Sequence, residues 1–236
     1  MEQMALSYLG RRPVLCMDMV EALRRGQGTV SAVRMDGVLI NVPRSGANLL
    51  AAVDTAAAGA LGELCKGALQ LAVHDKKNAE LLRDKLGFGT MMECRAAAYL
   101  SPMAPRSLGF DAGLVKPLRP GQEGLVLEGL PGEFEMDEVR ERLSAGELHG
   151  VLRDSEVLGT VGLYPEGGIG LLAVRQGLEE QEAVEMLGGL IAYITGWCLE
   201  NCLAPFVHIP AEDEGMLALY QQMGYTVSEE SMYWLG

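Results

Sequence analysis

The 236 residues are 49% hydrophobic and 22% charged, which supplies one large core or two of ordinary size and excludes a disordered chain. The net charge of −13 is uneven: residues 1–100 carry 12 Lys/Arg against 10 Asp/Glu, residues 101–236 carry 7 against 22, and none of the 19 Lys/Arg follows Arg175, which excludes a nucleic-acid surface there. No apolar run reaches the ~18 residues of a membrane span, the first residues lack the basic and apolar regions of a signal peptide, and a cytoplasmic protein that binds no membrane is expected.

Residues 13–25 place Val14, Leu15, Met19, Val20 and Leu23 near a 3.6-residue period and predict a first helix, ended by Gly26-Gln-Gly28. Two β-rich runs joined by Asp36-Gly37 predict a hairpin. A third strand at residues 49–53, a short Ala/Gly-rich helix at 55–66, a strand at 69–74, a helix at 76–86 and a strand at 91–100 follow. Residues 101–123 are rich in Pro and Gly without periodicity and read as a linker. Beyond it the pattern predicts a strand at 125–128, a helix at 136–143 and strands at 148–153, 157–164 and 169–174. A long helix over about 179–200 comes next, with Ala183, Leu187, Leu190, Ile191, Ile194, Trp197 and Cys198 on one stripe. A strand at 206–209, a helix at 212–223 and a strand at 226–234 complete the chain. Hairpins mixed with crossovers imply an α/β class with a mixed, mostly antiparallel sheet flanked by helices.

One motif occurs twice. Leu219-Tyr220-Gln-Gln-Met-Gly224-Tyr225 is echoed by Leu82-Arg83-Asp-Lys-Leu-Gly87-Phe88, each an amphipathic helix stopped by a glycine that tolerates positive φ. The echo divides the chain into two related halves, residues 1–100 and 124–236, joined by 101–123. With its strand, long helix and strand, the second half resembles the GNAT N-acetyltransferase superfamily, and the first half resembles the same fold more faintly.

That resemblance implies an acyl-CoA N-acyltransferase fold and transfer of an acetyl group from acetyl-CoA to an amine. Tyr220 takes the position of the family's general acid, which protonates the departing thiolate. The strand holding Leu172, Ala173 and Val174 supplies a backbone amide to the thioester carbonyl, and Gln181, Glu182 and Ala183 stand where the family grips the cofactor's diphosphate with helix N-terminal amides. Here the sequence departs from the family's glycine-rich pattern, and Glu179, Glu180 and Glu182 bring carboxylates to that turn. In the first half Arg83 replaces the acid and the space for a cofactor helix is short, so that half is expected to be structural or a wall of the substrate site.

Of three histidines, His74, His149 and His208, none has metal-ligand spacing. His208 is placed by the resemblance beside the cofactor slot, where it is a candidate base, with Glu166 and Glu214 as rivals. Gly168-Ile-Gly170-Leu-Leu-Ala173 imitates a dinucleotide fingerprint but leads into a strand rather than a helix. The five cysteines read as reduced core thiols. Charge alone makes a cationic amine the expected acceptor, and a homodimer is left open. The competing reading is a non-catalytic protein of this fold whose acidic surface binds a basic partner.

Overall fold

The computed structural model describes residues 1–236. A first helix, α1 (Glu2–Leu9), precedes every element expected from the sequence; it buries Ala5, Tyr8 and Leu9, an i, i+3, i+4 stripe. Helix α2 runs over Met17–Arg24, later than its apolar pattern begins, because residues 11–16 following Gly10 are spent in turns around Pro13. The Asp36-Gly37 turn joins β1 (Thr29–Arg34) to β2 (Gly37–Val42), and β3 (Ala47–Ala52) continues the meander. Helix α3 (Thr55–Gly62) starts where the Asp54 carboxylate accepts from the Ala57 amide at 2.8 Å, and α4 (Lys76–Leu86) where Asp75 accepts from Asn78 at 3.0 Å; such caps satisfy amides that have no partner in the helix. Gly87, at φ 80°, stops α4 as the motif predicts. Strand β4 (Leu71–Val73) lies before α4 and β5 (Met91–Ala98) after it.

The stretch expected as a linker contains β6 (Val115–Pro117) and lies along the long helix α7 (Glu180–Glu200), where Leu108 and Phe110 fill the space above Gly188 and Gly189. Residues 125–128, expected as a strand, are helical: α5 spans Glu123–Gly129. A short apolar run reads equally as a buried helix or a strand, and the sheet-edge position it would need is held by β6, which pairs with β7 (Leu148–Arg153). Helix α6 (Met136–Ala145), β8 (Glu156–Leu163), β9 (Ile169–Val174), β10 (Phe206–Pro210), α8 (Glu214–Gln222) and β11 (Thr226–Leu235) fall close to their predicted places.

Two sheets result. One has four strands in the order β6-β7-β8-β9; the other has seven, β1-β2-β3-β4-β11-β5-β10. The last strand, β11, therefore inserts between β4 and β5, and β10 pairs antiparallel with β5. In the first half β3 and β4 are zipped in parallel, Asn48 opposite Leu71 and Leu50 opposite Val73. Strands β9 and β10, which the repeated motif sets against them, belong to different sheets and share no ladder. The largest apolar core, with Val161, Leu190, Ile194, Val207 and Tyr220, fills the space behind that opening. Four of the five cysteines are buried and Cys202 is exposed; all are free thiols.

Candidate functional site

The opening between β9 and β10 is shaped by a fault in the β8–β9 ladder. Thr160 pairs with Ala173 and Gly162 with Gly170, so Val161 faces two residues, Leu171 and Leu172. Leu171 takes φ 47°, a region a branched side chain seldom enters, and Thr160 Oγ1 pins its carbonyl at 2.9 Å. Such a bulge takes an extra residue out of regular ladder pairing and often lies beside an active site. Leu172 and Val174 alternate toward the main core, where they join Leu178, Met216 and Leu217 in a half-buried apolar lip. Ala173 points the other way, into the core beneath α5 and α6.

Tyr220, on α8, is 2% exposed and meets the edge of Tyr225 at 4.9 Å between ring centres. Burial, then the neighbouring Tyr164 phenol, raise its pKa above the ordinary tyrosine value, so it stays protonated at neutral pH. Tyr164 directly follows β8, and its ring covers Gly170, where a Cβ would overlap it. Burial also raises its pKa, Glu138 and Glu166 add to the rise, and the Leu171 backbone amide opposes them. The bulge, Tyr164 and Tyr220 thus form one neighbourhood, which the sequence motif reached only through Tyr220.

Beyond β9, Gln181, Glu182 and Ala183 sit in the first turn of α7. The first amide there with a backbone acceptor is that of Ala183, bonded to Glu179 at 2.9 Å, and no side chain caps the helix. The amides of residues 180–182 are consequently free donors at a positive dipole end. Gln181 is exposed and donates to Glu185 at 2.6 Å; Glu182 is half-buried and lies 3.7 Å from Arg153. Arg175, just after β9, pairs with Glu156. One cation, Arg153, therefore approaches a turn that the sequence presents as purely acidic.

His208 lies elsewhere, on β10 facing the first half. Its Nδ1 accepts from Trp234 Nε1 at 3.3 Å, and Nε2 has no hydrogen bond, pointing toward Asp18 Oδ2 at 3.8 Å. Burial lowers its pKa, Asp18 opposes that shift and His74 adds to it. Asp18 and His74 are both fully buried: His74 Nε2 is 2.9 Å from the carboxylate, and Nδ1 is 2.9 Å from the Leu50 carbonyl. Since a carbonyl only accepts, Nδ1 must carry hydrogen, and the pair is an imidazolium–carboxylate pair in which Asp18 is lowered and His74 raised against the cost of burial. His149 is a core residue, its pKa lowered to about 4 by burial.

His208, Tyr164 and Glu166 share a cleft of about 890 Å³ between the two sheets, with Arg44 and Gln70 from the first half and Arg142 from α6. Glu166, in the β8–β9 turn, is 6% exposed. The turn presses onto Arg25, leaving no room for a Cβ at Gly167. Burial raises the Glu166 pKa to about 7, against a pull downward from its own backbone amide and from Arg142 and Arg25. Glu214, its rival from the sequence, is exposed at the start of α8.

No family model matches the chain, and a search of curated proteins finds no relative. Solved structures do match. A Drosophila protein is 16% identical over 87% of this chain and 75% of its own, with a TM-score of 0.60. A GCN5-related N-acetyltransferase-like protein from Streptococcus suis is 13% identical over 98% and 99%, TM-score 0.57, and a protein from Novosphingobium aromaticivorans assigned to the GNAT acetyltransferases is 12% identical over 95% of each chain, TM-score 0.55. The chain has the GNAT acetyltransferase fold. At these identities the likeness is one of fold.

Within the GNAT fold, the unzipped β9, its bulge and the apolar lip fit the narrow amide-bearing arm of a coenzyme A thioester, and the free amides of α7 fit a diphosphate. The carboxylates of Glu179, Glu180 and Glu182 oppose the second fit, and Arg153 offsets part of that opposition at Glu182.

Proposed function

We propose that the chain is an N-acyltransferase that takes an acetyl group from acetyl-CoA and passes it to an amine held in the inter-sheet cleft. One observation carries this reading: β9 is unzipped from β10 and bulged at Leu171, whereas the matching strands of the first half, β3 and β4, are paired. Acetyl-CoA brings an activated acyl carbonyl and a good leaving thiolate.

The residues divide the work as follows. A backbone amide at the bulge, in Leu171 or Leu172, stabilises negative charge developing on the acyl oxygen. Leu172 and Val174 hold the donor's arm, Ala173 contributes backbone only, and the free amides of residues 180–182 hold its diphosphate, while the Ala183 amide closes the turn on Glu179. Glu166, poised near pH 7, takes the proton from the amine; His208, neutral and set between Asp18 and Trp234, orders the cleft wall beside it. Tyr220, kept protonated by burial, returns a proton to the sulfur, and Tyr164 stands next to it at the bulge. Acetyl-CoA with a panel of primary amines, followed by thiol release, tests the reading. Turnover of at least one amine is expected. No binding of coenzyme A or acetyl-CoA by calorimetry at millimolar concentration would sink it.

A second reading is favoured by the acidic first turn of α7: a GNAT-fold protein without catalysis, whose carboxylates bind a basic partner. It predicts that removing the charges of Glu179, Glu180 and Glu182 together leaves coenzyme A binding absent. The first reading predicts that the same change tightens it severalfold.

A further inference from the structure

The overall charge of −13 suggests a cationic acceptor, but the cleft wall is built differently. Arg44, from the β2–β3 turn, reaches across to the second half: Nη1 lies 2.8 Å from Glu147 and Nε 3.0 Å from Glu141. Arg142 contacts the same two carboxylates, at 3.2 and 3.1 Å, and Arg25 approaches Glu147 at 3.5 Å. Three guanidiniums therefore share two carboxylates, in a protein that elsewhere has acid to spare. The surplus is not on the open surface. The Arg142 side chain is 5% exposed and the Glu147 side chain 9%, and Arg142 Nε and Arg25 Nη1 are buried without a hydrogen-bond partner. Arg44, 29% exposed, uses only Nε and Nη1 within the chain, so its Nη2 donors remain.

A buried ionic network is stable when its charges match and its donors are used. Here three guanidiniums are paired to only two carboxylates and several donors are unused, and Arg44 and Arg142 both line the cleft. The other acids on that wall, Glu138 and Glu166, form no ion pair with these guanidiniums. A small carboxylate would supply the missing anion, and the paired donors of a guanidinium suit it in shape. The cleft's volume of about 890 Å³ suits a small molecule.

We propose that the acceptor is an amine that also bears a carboxylate, with the carboxylate against Arg44 and Arg142 and the amine toward Glu166 and Tyr164. This rests on the acyl-transfer reading of the same cleft, and names the substrate class. Arg44 becomes a specificity residue given by the first half, which explains why a half with a closed slot still lines the site.

The test uses ω-amino acids from glycine through 6-aminohexanoate, each beside its primary amide, with putrescine as the cationic probe. Thiol release from acetyl-CoA and calorimetric binding are both read. At least one amino acid should exceed its amide and putrescine by about 10- to 100-fold in kcat/KM. Arg44→Gln should close that gap by raising KM for the acid alone, and Arg44→Lys should restore part of it. The wild-type preference needs no variant, so a misfolded substitution leaves the test intact. Equal use of acid and amide, or a preference for putrescine, overturns the inference and leaves acyl transfer standing. Arg44-dependent binding of the acid over the amide with no amine acetylated upholds the carboxylate site and overturns acyl transfer. No discrimination in binding or turnover overturns the inference.

Discussion

Tyr220 and Glu166 divide the proton traffic, and each can be isolated by an isosteric change. The Tyr220 hydroxyl is subject to burial and to Tyr164 and to no hydrogen bond, so Tyr220→Phe removes a proton donor without orphaning a partner. Stability should change by less than about 1 kcal/mol, while kcat falls by about 10- to 100-fold and affinity for coenzyme A holds; an unaltered kcat would remove Tyr220 from the chemistry. Glu166 has a pKa of about 7 in the fold against an ordinary glutamate value of about 4.3 in the unfolded chain. Between those values the folded protein keeps a proton that the unfolded chain has lost, so this group's contribution to stability falls as pH rises, by roughly 4 kcal/mol in all. In Glu166→Gln that fall should vanish, measured as the wild-type-minus-variant difference in urea unfolding between pH 5 and pH 8. The rise of kcat/KM through an apparent pKa near 7 should vanish with it. The sequence offers Glu166 only as a rival to His208 on a par with the exposed Glu214, since nothing local reveals that a turn will be pressed into an inter-sheet cleft.

At the scale of elements, periodicity read most of the chain and failed where two structures fit one pattern. The helix at 76–86 and the strands at 148–153 and 169–174 were legible because caps, a terminal glycine and alternation agree. Leu125-Val-Leu-Glu128 was not, because four residues contain too little pattern to separate strand from helix and the deciding fact is that β6 holds the edge. The glycine that makes the helical answer work is Gly129: α5 lies so close to β8 that a Cβ there would overlap the Val157 carbonyl. A backbone carbonyl in a ladder cannot swing aside, so Gly129→Ala should cost about 1–3 kcal/mol in chemical denaturation. The neighbouring Gly124, with open space around it, serves as control, and its Ala variant should be neutral or slightly stabilising. Equal effects at the two positions would mean that α5 is not seated on β8. The bulge at Leu171 was equally hidden, as no composition signal marks a non-glycine residue at positive φ.

The whole molecule is tied across its halves at buried charges. Asp18 on α2, His74 beyond β4 and His208 on β10 meet below the cleft, and the opposite shifts of the first two set a pH window. The raised His74 stabilises the fold fully below its unfolded value of about 6.5 and loses that as pH climbs through its folded value. The lowered Asp18 stabilises above about 3.9 and loses it as pH falls. Asp18→Asn should therefore destabilise by about 3–5 kcal/mol near pH 6, because a buried imidazolium is left alone, and by less at pH 9; a pH-independent loss would argue against the ion pair.

The contrast between the two slots leads to a spatial prediction. Backbone amides in a zipped pair are already bonded, so β3 and β4 of the first half have nothing to offer a ligand's amide groups. The residues of β9 facing β10 and the free amides opening α7 do. Hydrogen exchange on the full chain should thus show fast amides on the side of residues 171–174 turned away from β8 and at 180–182 that slow on adding coenzyme A, and slow amides at 48–50 and 71–73 that do not change. The first turn of α3 is the telling control. Its Ala57 amide is capped by Asp54, so a carboxylate already stands at that turn, whereas the first turn of α7 has no side-chain cap. Protection confined to β9 and α7 would fix the donor site in the second half, and protection appearing at 55–58 instead would move it to the first.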